Sequence, residues 1–320
     1  MNLTLDHVTH RYTKRSPAII KDITLQLSSA SVFALVGESG CGKTTLGKIA
    51  VGLAVPERGS LQINGHPIVT RDDWRQAHRK VQFVHQDPYA SLNPVSTIRD
   101  IIGAGLLRHH MATRKTVRDQ VREILKQVGL PSDDEFMARY PNQLSGGQRQ
   151  RVSIGRAIAL QPDIIVADEA VSMLDVSMRV SVLDLLLQLR EEFGVGYLFI
   201  THDFGVVRYF AEGQNIGVLY FGEMVEQGLC EDVIAHPLHP YTWLLLTSAP
   251  VPDPKRNLAR PALPDTVFQP QPKEGVPGCA FQLRCPFVDA SCRVASPPLR
   301  EVSAGHFVAC FFPERVPAIR

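Results

Sequence analysis

The chain has 320 residues, roughly two domains at about 150 residues each. Its 44% hydrophobic and 21% charged residues are ordinary globular usage, which excludes a disordered, collagen-like or coiled-coil chain. Thirty-four Lys and Arg against 32 Asp and Glu leave a net charge of +2, too little for a nucleic-acid footprint over the whole surface. The longest apolar runs, Ile49 to Val55 and Val182 to Leu187, fall far short of the roughly 20 residues that cross a bilayer. The stretch Met1 to His7 has neither a basic region nor a long apolar one, so no export signal is expected and the chain is expected in the cytosol.

In chain order, Ser31 to about Gly228 alternates apolar strand-like runs with longer helical patterns, as α/β units with a parallel sheet do. Strands are predicted at Val32–Val36, Val81–Val84, Ile164–Ala167, Tyr197–Thr201 and Ile216–Tyr220, each short and apolar enough for burial on both faces. Between them, Val117, Val121, Ile124, Leu125 and Val128 mark one face of a helix over Arg114–Val128, part of a helical insert. After about Cys230 the composition shifts: 15 of the 23 prolines fall in the last 90 residues, and Pro250–Pro277 reads as linker or irregular extension. There is no internal repeat, which excludes a tandem duplicated chain. Four of the six cysteines, Cys279, Cys285, Cys292 and Cys310, crowd into the last 42 residues.

Gly37-Glu38-Ser39-Gly40-Cys41-Gly42-Lys43-Thr44 fits G-x-x-x-x-G-K-[ST], with a predicted strand before it and a helical run, Thr45 to Gly52, behind it. By residue frequencies such a match arises by chance on the order of once in a hundred chains of this length, before its flanking elements are demanded. The glycines let backbone N–H groups face phosphate oxygens, the helix N-terminus adds positive potential, Lys43 adds charge, and the Thr44 hydroxyl is placed for Mg²⁺. Ile164–Ala167 then ends in Asp168-Glu169. Asp168 is expected to reach the metal, and Glu169 to orient or deprotonate the water that attacks the γ-phosphate. Acidic residues often close strands for turn reasons alone, so this pair gains its meaning from the phosphate loop. Leu144-Ser145-Gly146-Gly147-Gln148 precedes an amphipathic helix to about Leu160 and offers further anion-binding donors at a helix start.

With that pentapeptide the chain resembles the ATP-binding cassette (ABC) ATPases, whose signature motif lies between the two nucleotide motifs. The resemblance implies a P-loop NTPase cassette of α/β class: a RecA-like core, an antiparallel β N-terminal part, and an inserted helical subdomain at about 87–158 within a nucleotide-binding domain of 1–230. It also implies head-to-tail dimers, in which Ser145, Gly146, Gly147 and Gln148 reach ATP held by the partner. By the same resemblance Tyr12 stacks on adenine, Thr45 joins Gly37–Thr44 around the phosphates, and Gln86 senses metal and attacking water. His202 contacts the γ-phosphate, and Asp175 lies at the dimer interface. The chain departs from the family's usual D-E-P-T-S-A-L-D at Ala170, Val171 and Met173; both carboxylates and Asp175 are kept, so hydrolysis is expected and communication between the two sites is where a difference would lie.

Cys279-x5-Cys285-x6-Cys292-x17-Cys310 is the second constellation. A cytosolic address argues against disulfides; the absence of C-x2-C pairs is unlike zinc sites, and the spacing is not that of ferredoxins. The residues alone leave free thiols or a metal site. Together with His239-Pro240-Tyr241-Thr242, His306-x3-Cys310 and the run Gln86–Pro94, this region resembles the C-terminal part, here 231–320, of ATPases from oligopeptide, dipeptide and nickel importers. That resemblance implies a [4Fe–4S] cluster on the four cysteines, and Gly40–Gly47 resembles the second of the two non-identical ATPases of such importers. The implied function is ATP hydrolysis that drives import of peptides or a related small solute, with ATP and Mg²⁺ as ligands. The implied partners are a second, related ATPase in a heterodimer, two transmembrane permease subunits and an extracytoplasmic solute-binding protein, with the chain peripheral on the cytoplasmic face of the inner or plasma membrane. The rival from another class is a soluble ABC ATPase acting on nucleic acid or in iron–sulfur assembly. Against it stand the near-neutral charge, the lack of a coiled-coil insertion and the C-terminal extension.

Overall fold

The apolar runs Val32–Val36 (β3), Val81–Val84 (β6), Ile164–Asp168 (β7), Gly196–Thr201 (β8) and Asn215–Tyr220 (β9) form the parallel heart of the chain in the computed structural model, which describes residues 1–248 and 277–319. They lie side by side in the order β9-β3-β8-β7-β6, and each expected boundary is met to within a residue. A strand sends successive side chains to opposite faces, and here that divides the interior in two. Val32, Ala34 and Val36 join one core with Ile165, Ala167, Tyr197 and Phe199. Phe33 and Leu35 join the other with Ile164, Val166, Leu198 and Ile200. Both faces are covered, as a parallel sheet requires.

The second core is closed by an antiparallel sheet of order β2-β1-β4-β5, made of Asn2–His10 (β1), Ile20–Ser28 (β2), Arg58–Ile63 (β4) and His66–Pro67 (β5). Helix Lys43–Ala50 (α1) lies between the sheets and buries Leu46 and Ile49. Helix Arg71–Lys80 (α2) leads into β6.

After β6 the helical insert runs through Pro88–Ser91 (α3), Ile98–Arg108 (α4), Val117–Gln127 (α5), Asp134–Ala138 (α6) and Gly146–Ile158 (α7). In α5 the buried residues are Val121, Ile124 and Leu125, with the C-cap Val128 also buried. This is the face that the spacing predicted. Thr97, Asp133 and Ser145 cap α4, α6 and α7, each side chain accepting the backbone N–H three residues on; such caps are worth about 1 kcal/mol apiece. Helices Val176–Phe193 (α8) and Phe204–Phe210 (α9) complete the α/β units. Among the described residues no helix is long and apolar enough to cross a membrane.

The C-terminal part is more ordered than its composition suggested. Glu223–Leu229 (β10) pairs antiparallel with β9, and Cys230–Ala235 (α10), Pro240–Ser248 (α11) and the short helix Ala290–Val294 (α12) follow. Arg300–Ser303 (β11) and His306–Val308 (β12) then extend the main sheet, because β12 pairs with β10 through Glu226↔Val308 and Gln227↔Phe307. An expected irregular extension is thus partly sheet: the free edge of β10 needs partners for its backbone groups, and the chain returns to supply them. The join carries a buried carboxyl group. Glu226, 0% exposed, accepts hydrogen bonds from Leu238 N (2.7 Å), His239 N (2.9 Å) and His306 Nε2 (2.8 Å), as a buried carboxylate must to be tolerated. The expected linker Pro250–Pro277 lies, except for Pro277, outside the described residues.

Candidate active site

Gly37, Gln86, Glu169 and His202 come from four separate stretches of sequence, yet each follows the carboxyl end of one of four neighbouring strands, β3, β6, β7 and β8. In an open parallel sheet the crevice beyond those ends is where ligands bind. At its centre the phosphate loop turns tightly. Gly42, the N-cap of α1, has φ 112°, and a Cβ there would stand 2.8 Å from Ile19 O. A Cβ on Gly37 would stand 2.3 Å from Leu219 O. Only glycine fits either position.

Lys43 is buried and its Nζ donates to Gly37 O at 2.8 Å and Glu38 O at 2.9 Å. Its charge is held over the loop by carbonyl oxygens that a phosphate could replace. Ser39, Gly40 and Thr44 face solvent at the mouth, while Cys41 and Thr45 are buried beneath it. Burial pushes the Cys41 thiol up despite the nearby Lys43 charge, so it is a packed neutral thiol. Tyr12 follows the first strand of the N-terminal sheet, its Oη 3.0 Å from Thr45 Oγ1 and the residue 57% exposed. An aromatic face thus lies open beside the phosphate loop.

Thr44 Oγ1 donates to Asp168 Oδ1 at 3.1 Å. Burial raises the Asp168 pKa, and the adjacent Glu169 charge adds to it, while the Thr44 bond and the Lys43 charge pull it down. A hydroxyl beside a buried carboxylate that lacks full compensation suits a hard divalent cation such as Mg²⁺, which takes oxygen ligands and would stabilise the ionised form.

One strand end over, Glu169 has a left-handed backbone, φ 46°, and its N–H donates to Ile200 O at 2.9 Å. Gln86 Nε2 donates to Glu169 Oε2 at 2.9 Å, and His202 Nδ1 lies 3.3 Å from Glu169 Oε1. Glu169, expected to act on the attacking water, thus meets Gln86, expected to sense metal and water, and His202, expected to contact the γ-phosphate. Of the departures after it, Ala170 and Val171 pack into the core and Met173 is 60% exposed.

The signature residues are not brought to this crevice. Ser145 Oγ accepts from Gln148 N at 3.3 Å and Gln148 Oε1 accepts from Ser145 N at 3.1 Å, a reciprocal cap at the start of α7. Among the described residues no hydrogen bond joins Ser145, Gly146, Gly147 or Gln148 to the phosphate loop. Asp175 likewise serves as a cap, accepting from Met178 N at 2.9 Å.

Sequence reasoning missed two groups at the site. Tyr241 Oη accepts the Glu38 N–H at 2.7 Å, and Arg284 donates twice to the Glu38 carboxylate, both at 2.7 Å. Tyr241 was read only as part of the His239–Thr242 run and Arg284 carries no local signal, since their shared partner lies 203 and 246 residues away.

The second expected site is only coarsely present. Cys279, Cys285, Cys292 and Cys310 are free thiols that line one small pocket together with Phe281 and His239. Among the described residues no group of three or more His, Cys, Asp or Glu is placed to hold a metal ion, so the expected iron–sulfur ligation is unsupported as a formed metal site. Burial pushes Cys279 up to about 11 and Cys285 up to about 12, and the neighbouring thiols add to the rise at each. Cys230 stands apart, buried at the start of α10 and pushed up to about 11 by that burial.

Fold and site together define an ATPase of the ABC cassette class: a glycine-cradled phosphate loop, a hydroxyl–carboxylate pair for Mg²⁺ and a hydrogen-bonded Gln–Glu–His group at neighbouring strand ends. Likeness to known proteins agrees. The family model described as ABC transporter matches residues 20–172, and that of the oligopeptide/dipeptide transporter C-terminal region matches 225–292. The oligopeptide transport ATP-binding protein AppF of Bacillus subtilis is 40% identical over 295 residues, 91% of this chain and 88% of its own. The dipeptide transport ATP-binding protein DppF of Haemophilus influenzae is 41% identical over 291 residues, 90% of this chain and 87% of its own. Among solved structures, a dimeric bacterial ABC transporter cassette matches with a TM-score of 0.63 at 31% identity, over 71% of this chain and 98% of that one. The chain belongs to the family of ABC transporter ATP-binding proteins that carry the oligopeptide/dipeptide C-terminal region.

Proposed function

We propose that this ATPase drives import of peptides, or of a related small solute, through two transmembrane permease subunits fed by an extracytoplasmic binding protein. The chain sits peripherally on the cytoplasmic face of the membrane and pairs head to tail with a second, related ATPase. The observation that carries the reading is the meeting of Gln86, Glu169 and His202 at one carboxylate beside the phosphate loop, in a chain that shares nearly its full length with named peptide-transport ATPases.

In this reading Lys43 and the N–H groups of Gly37–Thr45 hold the phosphates, Tyr12 covers the adenine, and Thr44 with Asp168 and Gln86 hold Mg²⁺. The metal, when bound, neutralises phosphate charge. Glu169 orients and deprotonates the attacking water, with Gln86 and His202 fixing its carboxylate. The partner's site is completed by Ser145, Gly146, Gly147, Gln148 and Asp175. Ser145 and Asp175 are exposed, and none of the signature residues is hydrogen-bonded to this chain's own phosphate loop among the described residues, which supports a role in trans. Residues 1–230 act as the nucleotide-binding domain, with 87–158 as the moving helical subdomain and 231–320 as the extension.

We further propose that the four thiols take a [4Fe–4S] cluster. Support comes from their convergence on one pocket, since a cluster of this kind takes one thiolate per iron. Iron and sulfide with a brown colour in anaerobically purified protein are the expected result; one equivalent of zinc, or no metal, overturns this part.

The test of the main reading is Glu169→Gln. ATP binding should persist while turnover by the complex with its membrane subunits falls by about 10²-fold or more. Unchanged turnover removes Glu169 from the chemistry. Recovery with ribosomes, DNA or assembly scaffolds and never with membrane subunits removes the transport role.

A further inference from the structure

Glu38 is the second residue of the phosphate loop, and the protein holds it on every side. Its N–H donates to Tyr241 Oη at 2.7 Å, its carbonyl accepts from Lys43 Nζ at 2.9 Å, and its carboxylate takes both Nη atoms of Arg284 at 2.7 Å each. Paired forks of this kind fix direction as well as distance. The Arg284 side chain is 9% exposed, and the Glu38 contact raises its already high pKa further, so it stays charged.

Arg284 belongs to the turn that carries two of the four thiols. Gln282 N donates to Cys279 O at 3.1 Å, while Arg284 N and Cys285 N both donate to Phe281 O at 3.0 Å. Cys285 is next in sequence to Arg284 and Cys279 is bonded across the same turn, so the backbones that carry both thiols and Arg284 form one hydrogen-bonded unit. The turn is docked by Phe281, whose ring lies 5.5 Å from that of Tyr241 and 5.2 Å from that of Tyr220. Tyr220 in turn follows Leu219, whose carbonyl closes over Gly37. Two routes therefore run from the cysteine pocket to the phosphate loop, one ionic and one packed.

We propose that Arg284 is a positioning residue of the ATP site, which neutralises Glu38 and holds the phosphate loop in binding shape, so that filling of the four-thiol pocket and binding of ATP are reciprocally coupled. The physical reason is charge. An unpaired carboxylate at the edge of the loop repels the triphosphate, and the counter-charge that prevents this comes from the extension rather than from the cassette itself. When Lys43 turns from the Glu38 carbonyl to the phosphates, Arg284 and Tyr241 are the contacts that keep Glu38 in place. Coupling through a shared element acts equally in both directions: whatever orders the thiol pocket tightens ATP, and ATP orders the thiol pocket. The inference rests on the ATP-site reading above and not on the identity of what the thiols bind.

The experiment is a double-mutant cycle on the full chain, read by ATP dissociation constant and by KM against kcat. Arg284→Gln should weaken ATP by roughly five- to tenfold with kcat little changed. Glu38→Gln should weaken it less, and the double variant should be no worse than Glu38→Gln alone, because the repelling charge is then gone. Arg284→Lys should recover part of the loss by charge without the fork. In the reciprocal arm, on metal-free protein, a non-hydrolysable ATP analogue should slow alkylation of Cys279 and Cys285 in the parent and not in Arg284→Gln. Equal ATP affinity in parent and Arg284→Gln overturns the proposal, and so does additivity in the cycle, which marks Arg284 as a purely structural contact. A parent chain that binds no ATP is a different failure, that of the ATP-site reading itself.

Discussion

The two expected sites of this chain, the crevice at the strand ends and the cysteine pocket, are built in opposite ways. In the crevice Gly37, Gln86, Asp168, Glu169 and His202 sit in or just after strands of the parallel core, and the sheet spacing brings them together. In the cysteine pocket the thiols come from turns and a short helix, α12, and they are docked to the core through an aromatic cluster of Tyr220, Tyr241 and Phe281, the buried Glu226–His306 hydrogen bond, the Arg284–Glu38 fork and the β12–β10 pairing. A site carried by a sheet inherits the stability of the fold; a docked site has only its own contacts, so the two should part under stress.

The largest expected separation comes from Phe281→Ala. Truncating a buried aromatic of this kind costs about 3–5 kcal/mol, which should loosen the extension while leaving the parallel core folded. Limited proteolysis should then cut after residue 230 well before the cassette, followed by mass measurement of the fragments; simultaneous loss of both regions would merge them into one cooperative unit.

Acid should act next, again on the docked side. Burial pushes His239 down to about 3, where its Nδ1 accepts the Tyr241 N–H at 3.0 Å. Between that value and the free value near 6.5 the unfolded chain binds a proton that the folded chain refuses, so stability rises with pH there and is lost as pH falls. From pH 7 to pH 5 the loss is about 2 kcal/mol. Urea midpoints at the two pH values should show it, and His239→Asn, which keeps an acceptor without titrating, should flatten the difference. The smallest effect belongs to the cassette: Ser145→Ala removes the α7 cap at about 1 kcal/mol and should move the thermal midpoint of the cassette slightly without releasing the extension.

Much of the cassette was legible in the sequence, and for a physical reason. Gly37–Thr44 is contiguous and flanked by its own strand and helix, so spacing alone reports its shape. Val32–Val36 and Ile164–Ala167 are apolar throughout because both their faces are covered. The α5 face could be read from Val117 to Val128 because helical period is a local property. The extension offered no such period. Proline content read as irregularity, while β11 and β12 are four and three residues long and gain their strand character from pairing with β10 rather than from their own pattern. Ser145-Gly146-Gly147-Gln148 was legible as a motif, yet within one chain it caps a helix.

By itself, then, the amino-acid sequence determined the chemical parts: a phosphate loop, a carboxylate pair, a glutamine and a histidine each placed after an apolar strand, and four thiols near one end. These are local matters, decided by residues adjacent in the chain. Only the tertiary structure decided that Gln86 and His202 meet on Glu169, that β12 closes the edge of β10, and that Arg284 reaches Glu38 across 246 residues. Strand order and docking set those contacts, and they depend on which edge is open and which buried charge needs a partner, properties that exist only once the whole chain is packed.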